Sequence, residues 1–378
     1  MFVKKTFRFR LKPSRAQEMA FRQFSGACRW IYNRGLAQRK EVWEKERRSV
    51  SLYEQNNSLV ALKNCEETTW LKDIHSQILQ QALGDLDKAF THFFRRVGLK
   101  QTPGYPRFKH KGERDAFRYP QGVKADGSRV FLPKIGWVRF RKSREIEGVL
   151  KQATVIREGK GWYVCFSCEW EQPAFLFPTE PDIVGVDLGL ERFATLAHQG
   201  GFREVENPRF LGRDLAHLRY LGRELSRKTF KSKNWQKAKA KLQTFYARIR
   251  WKRQDFLHKL STAIVKSHDV IVVECLKVKR LMETSRRSLA RSMGDAGWRQ
   301  FLQMVKYKCE YLGKRLIEAG EYFPSTQLCS QCGKGNPLPL SQRIYQCSCG
   351  LEIHRDRNAA LNLRTVGTTA IKACGAAS

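Results

Sequence analysis

Three acids stand where acids are costly. Asp187 closes the apolar run 183–186 within GVDLGL, Glu274 closes the run VIVV at 270–273, and Asp356 opens the helical segment RDRNAALNL. A carboxylate at the end of a buried strand needs a partner, a hydrogen bond or a cation. Three of them brought together would repel one another. Two divalent cations, Mg²⁺ or Mn²⁺ given all-oxygen ligands, would remove that repulsion. Such a pair also clamps the attacking water and the leaving oxygen in phosphodiester hydrolysis. Gly185 and Gly189 flank Asp187. A strand glycine permits close approach of another backbone, read here as the nucleic-acid strand to be cut. For any one acid a solvated strand end is the ordinary reading, and Asp182, Glu191 and Asp269 are neighbours of that kind. The case rests on the three together.

Cys329 and Cys332 form a C-x-x-C knuckle followed by Gly333, and Cys347 and Cys349 form a shorter C-x-C. Four thiolates at this spacing fit one structural Zn²⁺ in a closed tetrahedral site, with His354 as the alternative to Cys349 as fourth ligand. A second C-x-x-C, Cys165 and Cys168, lies in an alternating strand, where residues three apart face opposite ways, and reads as core. The chain has 11 cysteines. An odd number without a secretory signal argues for a reducing compartment over a disulfide framework. No Ser/His/Asp or Cys/His nucleophile set and no phosphate-cradling glycine motif is evident.

The 378 residues carry 71 Lys and Arg against 36 Asp and Glu, a formal charge of +35. That excess calls for a polyanion, and nucleic acid is the default. A membrane is disfavoured because no apolar run approaches about 18 residues. Hydrophobic residues make up 42% of the chain, which excludes wholesale disorder. Two segments concentrate the charge. Residues 98–127 read as an extended loop of cations and aromatics, with Arg107, Lys109, Lys111 and Arg118 as phosphate contacts. Residues 201–260 hold 17 Lys and Arg against five Asp and Glu on a long helical stretch, about 211–267, offering Lys228, Lys231, Lys233 and Arg253. Ser76, Gln77 and Gln80, at the start of a helix over about 75–97, could read base edges. An exposed helix face is their plain alternative.

The elements that must position these groups follow from periodicity. Residues 2–11 alternate as a strand with one basic face, and Ser14 can cap the helix after it. Short strands are expected at 130–132, 138–141, 149–156 and 162–169. Residues 1–178 thus read as a barrel-like β module with a helical insertion at about 14–100. A linker at 173–181 leads to a second domain, 179–378. It holds strands at 183–186, 193–198 and 269–274, a helix at about 297–319, the cysteine ribbon at about 324–352 and a short helix from Arg355. The tail at about 365–378 is expected to be disordered.

These motifs, in this order, resemble those of the TnpB (OrfB) proteins of bacterial and archaeal insertion sequences, relatives of type V CRISPR effectors. The resemblance rests on GVDLGLERFATL, VIVVECLKVKRLM, the cysteine ribbon, RDRNAALNL, KPSRAQ, GACRWIYNRGL and the PRFK loop, and spans nearly the whole chain. It implies an α/β RuvC-like RNase H fold nuclease domain with an inserted zinc ribbon, preceded by a wedge-like β-barrel carrying a helical recognition insertion. It implies a cytoplasmic, nucleoid-associated endonuclease, monomeric with its RNA. A guide RNA from the transposon end would direct it to double-stranded DNA beside a short transposon-adjacent motif. Asp187, Glu274 and Asp356 take the three catalytic positions. His354 stands where the family often has Asp, and the Cys347–Cys349 pair is shorter than a full knuckle. A catalytically inactive RNA-guided repressor is the first alternative, disfavoured because all three acids are present. A transposase or junction resolvase on the same fold is the second, disfavoured by the ribbon and the basic N-terminal half.

Overall fold

The computed structural model describes residues 2–112, 115–159, 161–171, 178–339 and 342–375. The chain divides into two compact units, Met1–Gln172 and Pro173–Ser378. Residues 173–177 of the expected linker lie outside the described residues.

The first unit contains β1 (Phe2–Lys12), α1 (Arg15–Glu46), α2 (Leu52–Asn64) and α3 (Ser76–Gly98). Strands β2 (Ala116–Tyr119), β3 (Lys124–Asp126), β4 (Arg129–Leu132), β5 (Gly136–Arg141), β6 (Val149–Glu158) and β7 (Gly161–Glu171) follow. Alternation in β1 buries Phe7, Phe9 and Leu11 and turns the cations outward. Ser14 and Gln17 form a reciprocal capping box that starts α1, and Ser51 with Glu54 does the same for α2. The sheet runs β2-β6-β7-β1-β5-β4-β3. Its edge strands do not pair, so the expected barrel is a half-open one. Tyr119 Oη of β2 donates to the Pro133 carbonyl beyond β4 at 2.8 Å, bringing the two margins together without a ladder. Buried faces of α1 and α3 fill the concavity with Phe21, Phe24, Ile78 and Leu83.

The second unit opens with β8 (Ile183–Leu188), β9 (Arg192–His198) and β10 (Gly201–Glu206). Helices α4 (Phe210–Ser226) and α5 (Lys233–Ser267) precede β11 (Val270–Val273). Then come α6 (Val278–Thr284), α7 (Arg287–Ala296), α8 (Trp298–Leu312) and β12 (Arg315–Glu318). The hairpin β13 (Ile344–Gln346) and β14 (Glu352–His354) leads into α9 (Arg355–Gly375). The sheet order is β10-β9-β8-β11-β12, with β8, β11 and β12 parallel and β9 antiparallel to both its neighbours. One face packs on α5 and α8 through Ile271, Val273, Leu257, Ile264, Phe301 and Val305. Val270 and Val272, on the other face, meet Leu363, Val366 and Ile371 of α9.

Two expectations are corrected here. A Cβ on Gly185 would stand 2.1 Å from the Ala360 carbonyl oxygen and 2.5 Å from the Arg364 nitrogen. The backbone that Gly185 admits is therefore α9, not a nucleic-acid strand. The tail is helical to Gly375, because Val366 and Ile371 have a sheet to cover. The basic stretch is helical as expected, as two helices separated by 227–232, and Ser232 caps the second.

Candidate active site and metal centre

Parallel pairing sets the first two acids side by side. Val186 of β8 is in register with Val273 of β11, so the next residues, Asp187 and Glu274, leave the same ends of adjacent strands. Helix α9, seated on Gly185, brings Asp356 in its first turn. Asp187 and Asp356 are buried, at 7% and 8% exposure, and Glu274 is half-buried. Burial pushes the Asp187 carboxyl well above the usual carboxylate range, and the nearby Glu274 and Asp356 push it the same way against Arg355. Burial also raises Glu274, offset by a hydrogen bond donated by Ser325 Oγ and reinforced by Asp356. The three distant acids thus share one electrostatic environment. Arg355 is the cation at this site, with its Nε 3.8 Å from Asp356 Oδ1. His354 belongs beside the acids: its Nδ1 accepts the Asp356 N–H at 3.3 Å and stands 4.0 Å from Asp356 Oδ2. The competing acids are held elsewhere. Asp269 accepts from Lys314 Nζ at 2.5 Å, Asp182 pairs with His268 at 2.7 Å, and Glu191 pairs with Arg343 at 3.2 Å.

The sulfurs of Cys329, Cys332, Cys347 and Cys349 all lie within 4.8 Å of one another. Cys329 and Cys349 approach to 3.6 Å, as do Cys332 and Cys347. Ligands about 2.3 Å from a tetrahedral zinc stand about 3.8 Å apart, so the four thiols fit that ion. Each knuckle turns on a glycine with positive φ, Gly333 at 73° and Gly350 at 92°, whose N–H bonds back to the Cys329 or Cys347 carbonyl. A backbone hydrogen bond from Cys349 holds the Cys347 thiol down at about 6. Two buried asparagines, which sequence reasoning missed as linkers, join this ribbon to α9. Asn358 accepts from Ser330 N at 3.0 Å and donates to the Leu328 carbonyl at 2.6 Å. Asn362 donates to the carbonyls of Ser325 and Leu328 at 2.7 and 2.8 Å. Their spacing of four places both on one helix face, the one signal available in the sequence. In the first unit, Cys168 is buried and Cys165 half-buried on strand β7.

The basic residues divide. Arg107, Lys109, Lys111, Lys228, Lys231 and Lys233 are exposed. The Lys109 ammonium lies 3.7 Å from the centre of the Tyr32 ring, and Lys231 lies 5.3 Å from Phe230. Arg253 is corrected: it pairs with the buried Asp295 at 2.7 Å and is engaged inside the protein. Arg118 is half-buried and pairs with the exposed Asp85. Ser76 and Gln80 are exposed and Gln77 half-buried, with Lys63 Nζ donating to Ser76 at 2.5 Å.

An α/β sheet with clustered acids at its strand ends, a four-cysteine ribbon and a strongly basic surface define a nucleic-acid-processing class of protein. Family models agree. The OrfB_IS605 model, described as "Probable transposase", matches residues 176–285, and the Cas12f1-like TNB domain matches 298–363. A helix-turn-helix model matches residues 1–48, which here are β1 and the uninterrupted α1. The chain is 38% identical to "Putative RNA-guided DNA endonuclease InsQ" of Escherichia coli (strain K12), covering 98% of this chain and 93% of that protein. It is 34% identical to a Streptomyces pristinaespiralis protein of the same description, over 99% and 91% of the two. The chain belongs to the TnpB (OrfB) family, as the resemblance in its sequence implies. One chain of the cryo-EM structure of the Cas12f1-sgRNA-target DNA complex shares the fold, with a TM-score of 0.57 at 12% identity, covering 96% of this chain and 99% of that one.

Proposed function

We propose that this chain is an RNA-guided, Mg²⁺-dependent DNA endonuclease of a transposable element. The observation that carries the reading is the burial of Asp187 beside Glu274 and Asp356, with Asp187 and Glu274 pushed up by burial and by neighbouring acids. Buried like charges of this kind are the donor set that divalent cations complete. The β10-β9-β8-β11-β12 order with a covering C-terminal helix supports a RuvC-like RNase H fold.

In this reading Asp187, Glu274 and Asp356 would hold two Mg²⁺, or Mn²⁺. When bound, the ions supply Lewis-acid activation of a phosphodiester and of the attacking water. Ser325 fixes the Glu274 carboxylate, and α9 fixes Asp356 against β8. The four cysteines would hold one structural Zn²⁺, closed to substrate. Guide RNA from the transposon end would read sequence by base pairing, while residues 1–178 and the exposed lysines of α5 contact backbone and adjacent motif. No described helix is long and apolar enough to cross a membrane. The reading places the monomeric protein–RNA complex in a bacterial or archaeal cytoplasm, on the nucleoid. An inactive repressor and a strand-joining transposase are the competing readings; the intact acid set speaks against the first, and the ribbon and the basic N-terminal half against the second.

The test is Asp187→Ala in protein co-purified with RNA from its native flanking DNA. Mg²⁺-dependent cutting of a guided target should be lost, while guided binding stays within about twofold, because losing an ion ligand removes no phosphate contact. Normal cutting by this variant would end the assignment.

A further inference from the structure

The second unit holds a cavity of 560 Å³ lined by Leu190, Asn207, Arg209, Arg291, Ser292 and Arg343 among others. That is within the size range of ligand sites. Its walls are tied to two of the acids. Leu190 sits in the turn that follows Asp187, and the Arg343 carbonyl accepts the N–H of Arg355, the neighbour of Asp356, at 2.8 Å.

Three guanidinium groups from three separate segments meet there, and their charge is only partly answered. Glu191, also in the wall, is engaged by Arg343 at 3.2 Å. Asp295 is engaged by Arg253 at 2.7 Å and by the N–H groups of Leu211 and Gly212 at 2.8 and 3.3 Å. Among the described residues, Arg209 and Arg291 have no carboxylate within 4.0 Å. Arg209 is also held in the left-handed region, φ 47°. A side chain there is strained unless its surroundings hold it. Asn207 does so: it accepts the Arg209 N–H at 3.2 Å and donates to the Leu190 carbonyl at 2.8 Å. One side chain therefore locks the arginine turn to the turn after Asp187.

We propose that this cavity, walled by Arg209, Arg291 and Arg343, binds the phosphodiester backbone of the single DNA strand presented to the acids for cutting. Guanidinium matches phosphate with paired hydrogen bonds. Arg209 also borders a second cavity of 890 Å³, where Arg192 pairs with Glu204 and Arg213 adds a cation, so the trough continues as a chain requires and an isolated anion does not. Glu204 there is engaged by Arg357 at 2.8 Å, which leaves Glu206 as the opposing acid. A strand lying at the acids' own strand ends is the substrate and not the guide. The inference rests on the endonuclease reading for the identity of that strand.

The test uses full-length protein with its co-purified guide RNA, as wild type, Arg209→Ala/Arg291→Ala, and Lys279→Ala/Lys306→Ala. The last removes equal charge from another groove of the same unit, beside Leu276 and Leu302. Affinity for a labelled single-stranded DNA is read over a salt series, and guided duplex binding and cutting are read in Mg²⁺. The two arginines are exposed and lack an ion pair among the described residues, so the variant should melt with the wild type. The arginine variant should bind the oligonucleotide about tenfold more weakly. Its log–log salt slope should be shallower by about 1.4, for two lost phosphate contacts. Guided duplex binding should hold while cutting slows about tenfold. An unchanged slope with unchanged cutting, or an equal loss in the lysine control, overturns the proposal. A wild-type protein that cuts no guided target would sink the endonuclease reading, and the oligonucleotide arm would still decide the cavity.

Discussion

At the scale of single residues, the site is a place where stability yields to function. Asp187 is 7% exposed and faces two further acids, so its charge costs the metal-free fold. Asp187→Asn keeps the shape and removes the charge. It should raise metal-free stability at neutral pH by about 1–2 kcal/mol while abolishing cutting. Calorimetry with and without Mg²⁺ checks this: the ion should raise the wild-type melting temperature and leave the variant's unmoved. A variant less stable than wild type would show that the acid is paired rather than strained. Ser325, 3% exposed, is its counterpart, a neutral donor fixing Glu274. Ser325→Ala should weaken Mg²⁺ about tenfold, read as a shift in the Mg²⁺ dependence of cutting with the saturated rate nearly kept. The acids are legible in sequence because a charge that ends an apolar run has few cheap explanations. Ser325 is not, since a serine in STQLCSQCG looks like loop until the fold turns it toward Glu274.

At the scale of elements, backbone contact does the positioning. Gly185 and Gly367 let α9 lie against β8 and β11, where a Cβ on Gly367 would stand 2.5 Å from Val272 Cγ2. Gly185→Ala puts a methyl group into the Ala360 carbonyl and should cost about 3 kcal/mol or more, displacing Asp356 with the helix. Chemical denaturation together with loss of cutting checks it. A second clasp joins α5 and α8. Lys308 Nζ donates to the His258 carbonyl at 2.8 Å and to Ser261 and Thr262 hydroxyls at 2.7 Å each, and burial pushes its ammonium down to about 8 from 10.5. Between those values the unfolded chain binds the proton more tightly than the folded one, so stability from this group rises with pH across about 8 to 10.5 and is flat below. Lys308→Met should remove that rise, seen as a melting-temperature difference from wild type that changes over this window alone. Long amphipathic helices and alternating strands were readable from period alone. Short elements were not: β12 is four half-exposed residues and β10 a polar edge, with too few positions for a period to register. In sequence alone Gly185 reads as a contact with substrate, because a strand glycine shows that something approaches and not what.

At the scale of the molecule, two units carry separate cores and one excess of charge. The total of +35 is a property of the sequence, but which cations are available to nucleic acid is a property of the fold, as Arg253 shows by turning inward to Asp295. Polyanion binding should therefore depend steeply on salt and be spread over many residues, whereas cutting depends on one unit's geometry. The ribbon separates the two. Its cysteine cluster is bonded through Asn358 and Asn362 to the helix that carries Asp356 and to the carbonyl of Ser325, which holds Glu274. Structural zinc contributes folding energy directly, so an empty ribbon should loosen both supports at once. Cys329→Ser leaves the three acids intact and avoids a chelator, which would strip any divalent ion from either site. It should co-purify with little zinc, lower the melting of the Pro173–Ser378 unit while a transition from Met1–Gln172 stays in place, and cut at least tenfold more slowly even in saturating Mg²⁺. Guide RNA should still co-purify, since the substitution removes no cation. Elemental analysis, calorimetry and a cutting assay on one preparation read all four quantities. Wild-type protein that carries no zinc yet shows full stability and full cutting would reduce the ribbon to four thiols and break the link between it and the acids.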